Sequence, residues 1–544
     1  MFSTPHTVLV PFVLLALAGC DLGPSNIESA PKSQILHLGN GTEPQDLDPH
    51  VVTGVTENNI ITALLEGLVS ENPITLAPEP GIAQSWSVDD SGIRYSFKLR
   101  DSARWSNGDP VTAHDFVWSW QRMLSPGLAG EYAYQLFTVK NAEAFNRGDI
   151  DNFDEVGVKA LDTQTLEVVL ENPTPYFLSL LAHYSTFAVH PDTIMAFGKM
   201  DQRGSLWTRA GNFVGNGPFV LKAWRLNYVV EVERNPYYWD ADRVRLNGIR
   251  FYPIDNANTE ERMFRTDVLH ATSTTPSDKI EVYQDQQPDR IFISPYLGTY
   301  FYRFNVTRPP LDDYRVRRAL SMTVDREAIV NSVTKGGQLP AFSFTPPNTQ
   351  GYFPPDPLIQ FDPVGARSLL AEAGFPEGQG FPKLTLLYNT SDGHRRIAVA
   401  IQQMWKEHLN IEIELENQDW KVYLSRTRDL DYDISRAGWI GDYPDPNTFL
   451  DMMLGGGGNN RTGWENPDYD ALIRQAATTT DNATRFELFE TAESILDAES
   501  PLLPIYTYTR VALKHPSLRG WYPNVLDRHP YKYVYIAESD EVQQ

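Results

Sequence analysis

The chain has a single cysteine, Cys20, among its 544 residues. No disulfide can form within one chain, and the paired-cysteine and Cys/His spacings of zinc sites are missing. The HExxH, GxSxG and GxxxxGK[ST] motifs of metalloproteases, hydrolases and phosphate-binding loops are missing too. These absences argue against nucleophilic and metal-dependent catalysis, and we expect neither an enzyme nor a cofactor.

An excess of basic residues is also missing. The sequence has 46 Lys and Arg against 70 Asp and Glu, for a formal net charge of −24. Proteins that bind nucleic acid present basic surfaces, so the charge argues against that class of partner. No apolar stretch reaches the roughly 20 residues that a membrane-spanning helix needs. We therefore expect a soluble body.

The longest apolar run, residues 8–18, lies next to the lone cysteine. It is too short to span a bilayer and has the length of a signal-peptide core. Its end, Leu17-Ala18-Gly19-Cys20, resembles a bacterial lipobox. That resemblance implies a lipoprotein signal peptide over residues 1–20, lipidation of Cys20 and, with Asp21 next, retention at the inner membrane. One departure is that residues 1–7, before the apolar run, contain no Lys or Arg and only His6. Residues 21–32 are interpreted as a flexible tether.

Residues 432–440 alternate as a strand whose one face carries a lone cation, Arg436, among apolar or absent side chains. Gly438 leaves the backbone bare beside Trp439, and the anionic Asp442 follows in a Pro-containing turn. A bare strand offers main-chain hydrogen bonds to another extended chain. The two opposite charges match the ammonium and carboxylate of a peptide, so the stretch predicts a peptide-binding strand.

Residues 389–409 contain the apolar spacing of a helix, which Ser391 or Asp392 can cap. His394 would lie in the first turn, where free N–H groups and the helix dipole attract carboxylates. It is a candidate carboxylate ligand, and the alternative is a solvated histidine at a helix start. If the imidazole is protonated when it meets a ligand carboxylate, affinity should fall as pH rises.

Strands and helices are mixed along the rest of the chain. Residues 94–100 alternate as a half-buried strand, and residues 112–124 predict a helix with Thr112 and Asp115 as a capping box. Another helix is expected to begin at Asp362-Pro363 and to end at Gly374.

Several segments resemble the dipeptide/oligopeptide family of bacterial extracytoplasmic solute-binding proteins. The similarity is collinear over roughly residues 33–536, and it is greatest to the members that bind oligopeptides and murein tripeptide. The segments that carry it are 81–120, 216–224, 233–240, 317–330, 369–375, 386–406 and 432–450.

The resemblance implies a periplasmic-binding-protein-like type II α/β fold with two ligand-clasping lobes and an extra small α+β domain. Lobe I would comprise residues 33–65, 190–297 and 511–544, domain II residues 66–189, and lobe III residues 298–510. It also implies a monomer, anchored by lipid at the periplasmic face of the inner membrane, that delivers short peptides to an ABC permease.

The resemblance assigns ligand-binding roles to specific positions. Asp442 would pair with a peptide ammonium, and Arg436 and His394 would meet carboxylates of peptides of different length. The remaining positions are main-chain partners or walls of side-chain pockets: Gly438, Ile440, Gly54 and Val55 for the main chain, and Trp439, Trp420, Tyr296, Phe301 and Arg303 for the pockets.

The chain departs from its close relatives near the ligand. Acidic residues of the family align with Arg303 and Thr53, a lysine aligns with Thr334, and a pocket arginine aligns with Thr427. Two acids are lost and one cation is gained. We therefore expect a weaker preference for lysine-rich peptides than in those relatives.

Other interpretations stay open at this point. Arg436 alone could be a surface ion-pair partner, Asp442 a turn residue, and Trp439 and Trp420 parts of a core. The same fold could bind murein tripeptide, a nickel chelate, haem or an oligosaccharide. A sensor or hydrolase acting on cell-wall peptides is a third class, which the missing catalytic motifs disfavour.

Overall fold

The structure is a computed structural model that describes residues 24–538. The predicted signal peptide and Cys20 lie outside the described residues, as do residues 539–544. Within residues 24–538, no helix is both long and apolar enough to cross a membrane.

The strands of the described residues form five sheets, with the orders β1-β10-β9-β8, β2-β3, β4-β5-β7-β6, β12-β16-β11-β15-β13-β14 and β17-β18. Their bounds are β1 Ile35–Gly39, β2 Val69–Glu71, β3 Pro78–Pro80, β4 Ala83–Val88, β5 Arg94–Leu99, β6 Val158–Ala160, β7 Thr165–Val169, β8 Phe219–Arg225, β9 Val229–Arg234, β10 Gly248–Tyr252, β11 Ile291–Phe304, β12 Leu339–Pro340, β13 Leu384–Asn389, β14 Ile413–Gln418, β15 Ile434–Ile440, β16 Leu502–Leu513, β17 Leu518–Arg519 and β18 Tyr535–Ile536.

The α-helices lie between and around these sheets. Their bounds are α1 Asn26–Ser33, α2 Val55–Leu64, α3 Ala113–Leu124, α4 Ala142–Arg147, α5 Phe177–Leu180, α6 Pro191–Phe197, α7 Ala257–Arg265, α8 Ile280–Gln286, α9 Tyr314–Met322, α10 Arg326–Ala328, α11 Pro363–Glu372, α12 Asp392–Leu409, α13 Trp420–Arg428, α14 Asn447–Leu450, α15 Pro467–Ala477 and α16 Asn482–Glu499.

The described residues form mixed sheets and helices, in agreement with the α/β class predicted from the sequence. The sheet β1-β10-β9-β8 is built from residues assigned to lobe I, and β4-β5-β7-β6 from residues 66–189. The six-stranded sheet is built almost wholly from residues 298–510. The exact domain boundaries stay a prediction.

Two long antiparallel strands, β11 and β16, connect the regions assigned to lobes I and III. Their pairing runs from Ile291 opposite Leu513 to Arg303 opposite Leu502. The register shifts between Pro295 and Thr299, next to the predicted boundary at residues 297/298. A register shift disrupts the ladder locally and bends the strand, so the two-stranded connection between these regions is irregular at this level.

The predicted helices α3, in domain II, and α12, in lobe III, are confirmed. Helix α3 has the predicted capping box between Thr112 and Asp115 and buries Phe116 and Trp120 completely. Helix α12 is capped by Ser391.

Helix α12 also anchors the lobe III core. It buries Ile397, Ile401 and Trp405, which lie four residues apart on one face. The Trp405 indole N–H donates to the Leu320 carbonyl at 2.9 Å, so its one polar group is satisfied in the core. This packing fixes where the start of α12, and therefore His394, lies.

The predicted tether over residues 21–32 is wrong from Asn26 onward, where α1 begins. Ser25 accepts from the Glu28 N–H at 3.1 Å and donates its own N–H to the Glu28 carboxylate at 2.7 Å, which is a capping box. The Asn26 amide donates to the Val268 carbonyl, and Ala30 is fully buried. The Ser-x-x-Glu spacing was the sequence signal for this helix.

Candidate functional site

A deep cleft lies between the region before α2, the edge of β15 and two loops of domain II. Its empty space is about 1540 Å³, part of it open to solvent. Ten residues predicted from sequence line it together: Gly54, Val55, Tyr296, His394, Trp420, Arg436, Gly438, Trp439, Ile440 and Asp442. Residues from distant parts of the chain therefore meet in one space.

Two predicted residues, Phe301 and Arg303, are not among the side chains that line this cleft. Both lie on β11 with their side chains on the face opposite to Tyr300 and Tyr302. Phe301 is fully buried and packs edge-on against Phe344, at 5.0 Å between ring centroids. Arg303 is also buried, at 5 % exposure.

The open edge of β15 is the main-chain feature of the cleft. On one side β15 pairs with β11 along its whole length, from Ile434 to Ile440. On the other side β13 pairs with it only at Ile434 and Ser435. Among the described residues no strand covers that second edge from Arg436 to Ile440, so the strand can accept another extended chain there.

Gly438 sits in the middle of the open edge, where a side chain would not fit. A Cβ atom on Gly438 would lie 2.5 Å from the Tyr508 hydroxyl and 3.3 Å from the Arg436 guanidinium. The glycine keeps the backbone accessible and leaves these two groups in place. The bare strand predicted from sequence is therefore present.

Gly54 and Val55 face this edge from lobe I, at the start of α2 rather than on a strand. A Cβ on Gly54 would lie 2.0 Å from the Glu57 carboxylate and 3.2 Å from Trp420. Val55 is 47 % exposed, into the space between the lobes.

Asp442 marks one end of the cleft. Its carboxylate accepts from the Gln135 amide at 2.8 Å and the Tyr132 hydroxyl at 3.3 Å, and it lies 3.3 Å from His183 Nε2. The residue is 6 % exposed, and no Lys or Arg side chain among residues 24–538 binds that carboxylate. A buried anion held by three side chains of domain II therefore faces the cleft.

Arg436 marks the other end. Its guanidinium donates to Asn389 at 3.1 Å and to the Tyr508 hydroxyl at 3.0 Å, and it lies 4.8 Å above the Tyr300 ring. Within the described part of the chain no carboxylate pairs with it, and its Nε has no hydrogen-bond partner. Arginine stays protonated, so this end carries an uncompensated positive charge.

His394 lies beside Arg436 in the first turn of α12. Its Nδ1 is 3.4 Å from the Tyr300 hydroxyl, and the two rings are 5.6 Å apart. Burial, and then the charge of Arg436, hold the pKa of His394 well below its usual value. The structure therefore favours a neutral imidazole, against the protonated form considered from the sequence.

Contacts across the cleft hold the lobes together. The Trp420 indole N–H donates to Glu57 at 3.3 Å, and the Asn256 amide donates to Asp392 at 2.9 Å. Burial raises the pKa of Glu57. Trp420 stacks on Tyr423 at 5.6 Å, so the wall of lobe III that meets lobe I is aromatic.

Sequence reasoning missed the residues that support the two charges. Tyr132, Gln135 and His183 lie some 260 to 310 positions before Asp442, and no local pattern connects them with it. Asn389 is the last residue of β13, and Tyr508 lies within β16. A polar side chain in a strand was the only sequence signal for either residue.

The cation that the family places at Thr334 has no replacement in the cleft. Thr334 hydrogen-bonds to Gln338, and the neighbouring Lys335 lies 3.9 Å from Glu281. Neither residue lines the cleft. The arginines that line the cleft are Arg436, Arg510 and Arg528, of which Arg510 pairs with Asp527 and Arg528 with Glu71.

The sequence profile of the bacterial extracellular solute-binding proteins, family 5 (middle region), matches residues 77–461. The periplasmic oligopeptide-binding protein OppA of Salmonella typhimurium is 37% identical over 532 residues, which covers 95% of this chain and 94% of OppA. The match thus extends over nearly the whole of both proteins.

Two solved structures have the same fold. The murein tripeptide-binding protein MppA of Escherichia coli gives a TM-score of 0.87 at 35% identity, covering 93% of this chain and 98% of MppA. Haemophilus influenzae OppA in complex with the peptide RPPGFSPFR gives 0.88 at 33% identity, covering 93% and 99%.

Proposed function

The chain belongs to family 5 of the bacterial extracellular solute-binding proteins, and from that premise we propose that it binds short peptides for an ABC importer. One observation carries the proposal: an unpaired strand edge lies between a buried anion, Asp442, and an uncompensated cation, Arg436. A peptide with free ends presents the complementary charges and an extended backbone.

In this proposal the peptide adds a strand to the edge of β15. Its ammonium takes the open side of the Asp442 carboxylate, and its carboxylate meets Arg436 or His394. Gly438 and Ile440 supply main-chain groups, and Trp439, Trp420 and Tyr296 surround the side chains. Charge-assisted hydrogen bonds at both ends give affinity that does not depend on the side chains.

The spacing of the two charges sets the length of the ligand. Asp442 is six positions after Arg436, so their Cα atoms lie at most about 20 Å apart at about 3.3 Å a residue. An extended peptide of about three to five residues is roughly 10 to 17 Å long at the same rise. The Arg436 side chain extends toward Asp442 and so shortens the distance that the peptide has to span.

The wider role rests on the same proposal. Lipidation at Cys20 would tether a monomer to the periplasmic face of the inner membrane, where it passes peptides to the permease complex. Binding and release then need only the opening and closing of the lobes. The chain does no chemistry on its ligand.

The test is a thermal titration of residues 21–544, which contain every described element. Bound ligand is removed by unfolding and refolding, and the protein is titrated with free, N-acetylated or C-amidated tri- and tetra-alanine. A ligand that binds only the native state stabilises it by about 2.7 kcal/mol at 100 times Kd. We expect the melting temperature to rise with free peptide and far less with the acetylated form.

Equal shifts with free and acetylated peptide would remove the ammonium from the recognition mechanism. No shift with any of these peptides would favour another solute, such as murein tripeptide. Release of amino acids over time would instead indicate a hydrolase.

A second prediction concerns pH. Because burial and Arg436 hold the pKa of His394 well below its usual value, its charge should not change between pH 5.5 and 7.5. We expect the ratio of peptide affinities of the wild type and His394→Gln to stay constant within about twofold over this range. Calorimetric titration of both proteins at each pH measures it.

Titration of His183 and of the peptide ammonium affects both proteins alike, so it cancels in the ratio of affinities. A pH dependence of that ratio therefore reports on His394. A ratio that falls as pH rises would mean that a ligand carboxylate raises the pKa of His394 into this range. The imidazole would then bind in its protonated form.

A further inference from the structure

Three arginines gather behind the cleft, on the side of β15 that faces domain II. Arg303 lies on β11, Arg428 ends α13, and Arg461 lies in the loop before α15. We call these three residues the arginine cluster. Arg303 and Arg461 are 5 % and 6 % exposed, so two of the guanidinium groups are buried.

The cluster has far more positive than negative charge. The one carboxylate paired with it among the described residues is Glu131, which lies 3.5 Å from Arg428. Glu131 also pairs with a fourth arginine, Arg203, at 3.3 Å. One anion is therefore shared by two arginines, and neither of them is Arg303 or Arg461.

The two buried guanidinium groups have few partners. Within residues 24–538 the Arg303 side chain makes no hydrogen bond or ion pair, and its Nε is buried without a partner. Arg461 donates to the Thr427 hydroxyl at 3.3 Å, and its Nε is likewise buried and unpaired. Burial, Arg303 and Arg428 lower the pKa of Arg461 to about 10, and Glu131 only partly opposes them.

The cluster adjoins the ligand-binding edge. Arg303 shares its face of the sheet with Phe301, and its Cζ lies 5.5 Å from that ring. Ala437 and Trp439 lie on the same face of β15, opposite Phe301 and Thr299. Trp439 lines the cleft and lies 6.3 Å from the ring of Tyr132, the residue after Glu131.

A buried arginine without an anion is unfavourable, since it cannot release its proton and leaves its N–H groups without acceptors. A carboxylate that enters such a site forms charge-assisted, often bidentate, hydrogen bonds. Side chains of a strand alternate between its two faces, so a peptide on the edge of β15 directs alternate side chains to the face of the sheet on which Arg303 lies.

We propose that the arginine cluster receives the acidic side chain of a bound peptide, so that the protein prefers peptides containing Glu or Asp. This inference rests on the proposed peptide-binding function. It also gives a physical cause for the weak preference for lysine that the sequence predicts, because a lysine side chain would meet three like charges.

The experiment measures calorimetric affinities of residues 21–544, freed of ligand as above. The peptides are tri-alanine and its variants with one Glu, Gln or Lys at each position. Gln has the size of Glu without the charge, so the ratio of affinities of each Glu and Gln pair isolates the carboxylate. We expect a ratio of at least 10 at one or more positions, and Lys peptides weaker than their Gln counterparts.

Arg303→Met removes the unpaired charge with little loss of volume. We expect the Glu/Gln ratio to fall below 3, the affinity for tri-alanine to change less than threefold, and the melting temperature of the free protein to rise. Arg461→Met is the second variant, with the same expectations, should the first one not fold. Arg308→Gln is the matched control, because that arginine is half-exposed and pairs with Asp431 and Asp433; its ratio should equal that of the wild type.

The outcomes separate this inference from the proposed function. If tri-alanine binds but every Glu/Gln ratio is near 1, or the ratio survives both Met variants, the inference is wrong and peptide binding stands. If sulfate alone raises the melting temperature in an Arg303-dependent manner without any Glu preference, the cluster binds a free anion and the inference is again wrong. If no peptide binds, the proposed function itself fails.

Discussion

Asp442→Asn should lower the affinity for free tri- and tetra-alanine by at least 30-fold. The carboxylate is buried and accepts from the neutral donors Gln135 and Tyr132, with His183 beside it. Among residues 24–538 no Lys or Arg binds that carboxylate, since Arg528 donates to the Asp442 carbonyl instead. A ligand ammonium would therefore be the one cation hydrogen-bonded to it. Loss of one partner of a buried, hydrogen-bonded charge pair costs about 2–5 kcal/mol. Each 1.4 kcal/mol is a tenfold change in affinity. Calorimetric titration of the ligand-free protein measures the effect.

The matched control for Asp442→Asn is Glu407→Gln, which removes the same charge from an exposed position on α12 of the same lobe. It should bind as the wild type does. N-acetylated tri-alanine should bind the wild type and Asp442→Asn equally weakly, because the interaction is then missing from both complexes. An Asp442→Asn protein that discriminates between free and acetylated peptide as well as the wild type would place the ammonium elsewhere.

Arg436→Gln should lower the affinity for peptides with a free carboxylate by about 10- to 100-fold. Hydrogen bonds to charged groups contribute about 1.5–3 kcal/mol, and Arg436 has no competing carboxylate among residues 24–538. The loss should be largest for the peptide length whose carboxylate reaches Arg436. A series from di- to penta-alanine, titrated against both proteins, identifies that length.

C-amidated peptides test the cause of this loss. They should bind the wild type more weakly than free peptides and bind Arg436→Gln about as well as they bind the wild type. Arg395→Gln, an exposed arginine one residue after His394, is the control for charge and should leave the affinity unchanged. An equal loss for free and amidated peptides would assign Arg436 a role in the fold of the cleft instead of in carboxylate recognition.

Local sequence patterns predicted several elements correctly because the information lies within a few residues. The alternation over residues 432–440 predicted β15, and the cap at Ser391 with apolar spacing predicted α12. The capping box at Thr112 did the same for α3. The tether was wrong because its polar composition was weighed above the equally local Ser25–Glu28 capping box.

The cleft was predicted less completely. The charges at its ends, Asp442 and Arg436, are in one segment and could be inferred from it. Their supporting groups come from domain II and from β16, where the sequence offers ordinary Tyr, Gln and His residues. The placement of Arg303 depended on which face of β11 carries its side chain, the face of Phe301 and not that of Tyr300 and Tyr302.

The sequence by itself determined the class of the protein, the strand β15 with its bare glycine and the two opposite charges, Arg436 and Asp442. These follow from side-chain alternation, glycine placement and a collinear resemblance, all of which are properties of the order of residues. Only the tertiary structure decided the direction in which the pKa of His394 shifts and the surplus charge of the arginine cluster. Both depend on burial and on charges brought close by folding, because the free energy of a charged group is set by the solvent it loses and the partners it gains.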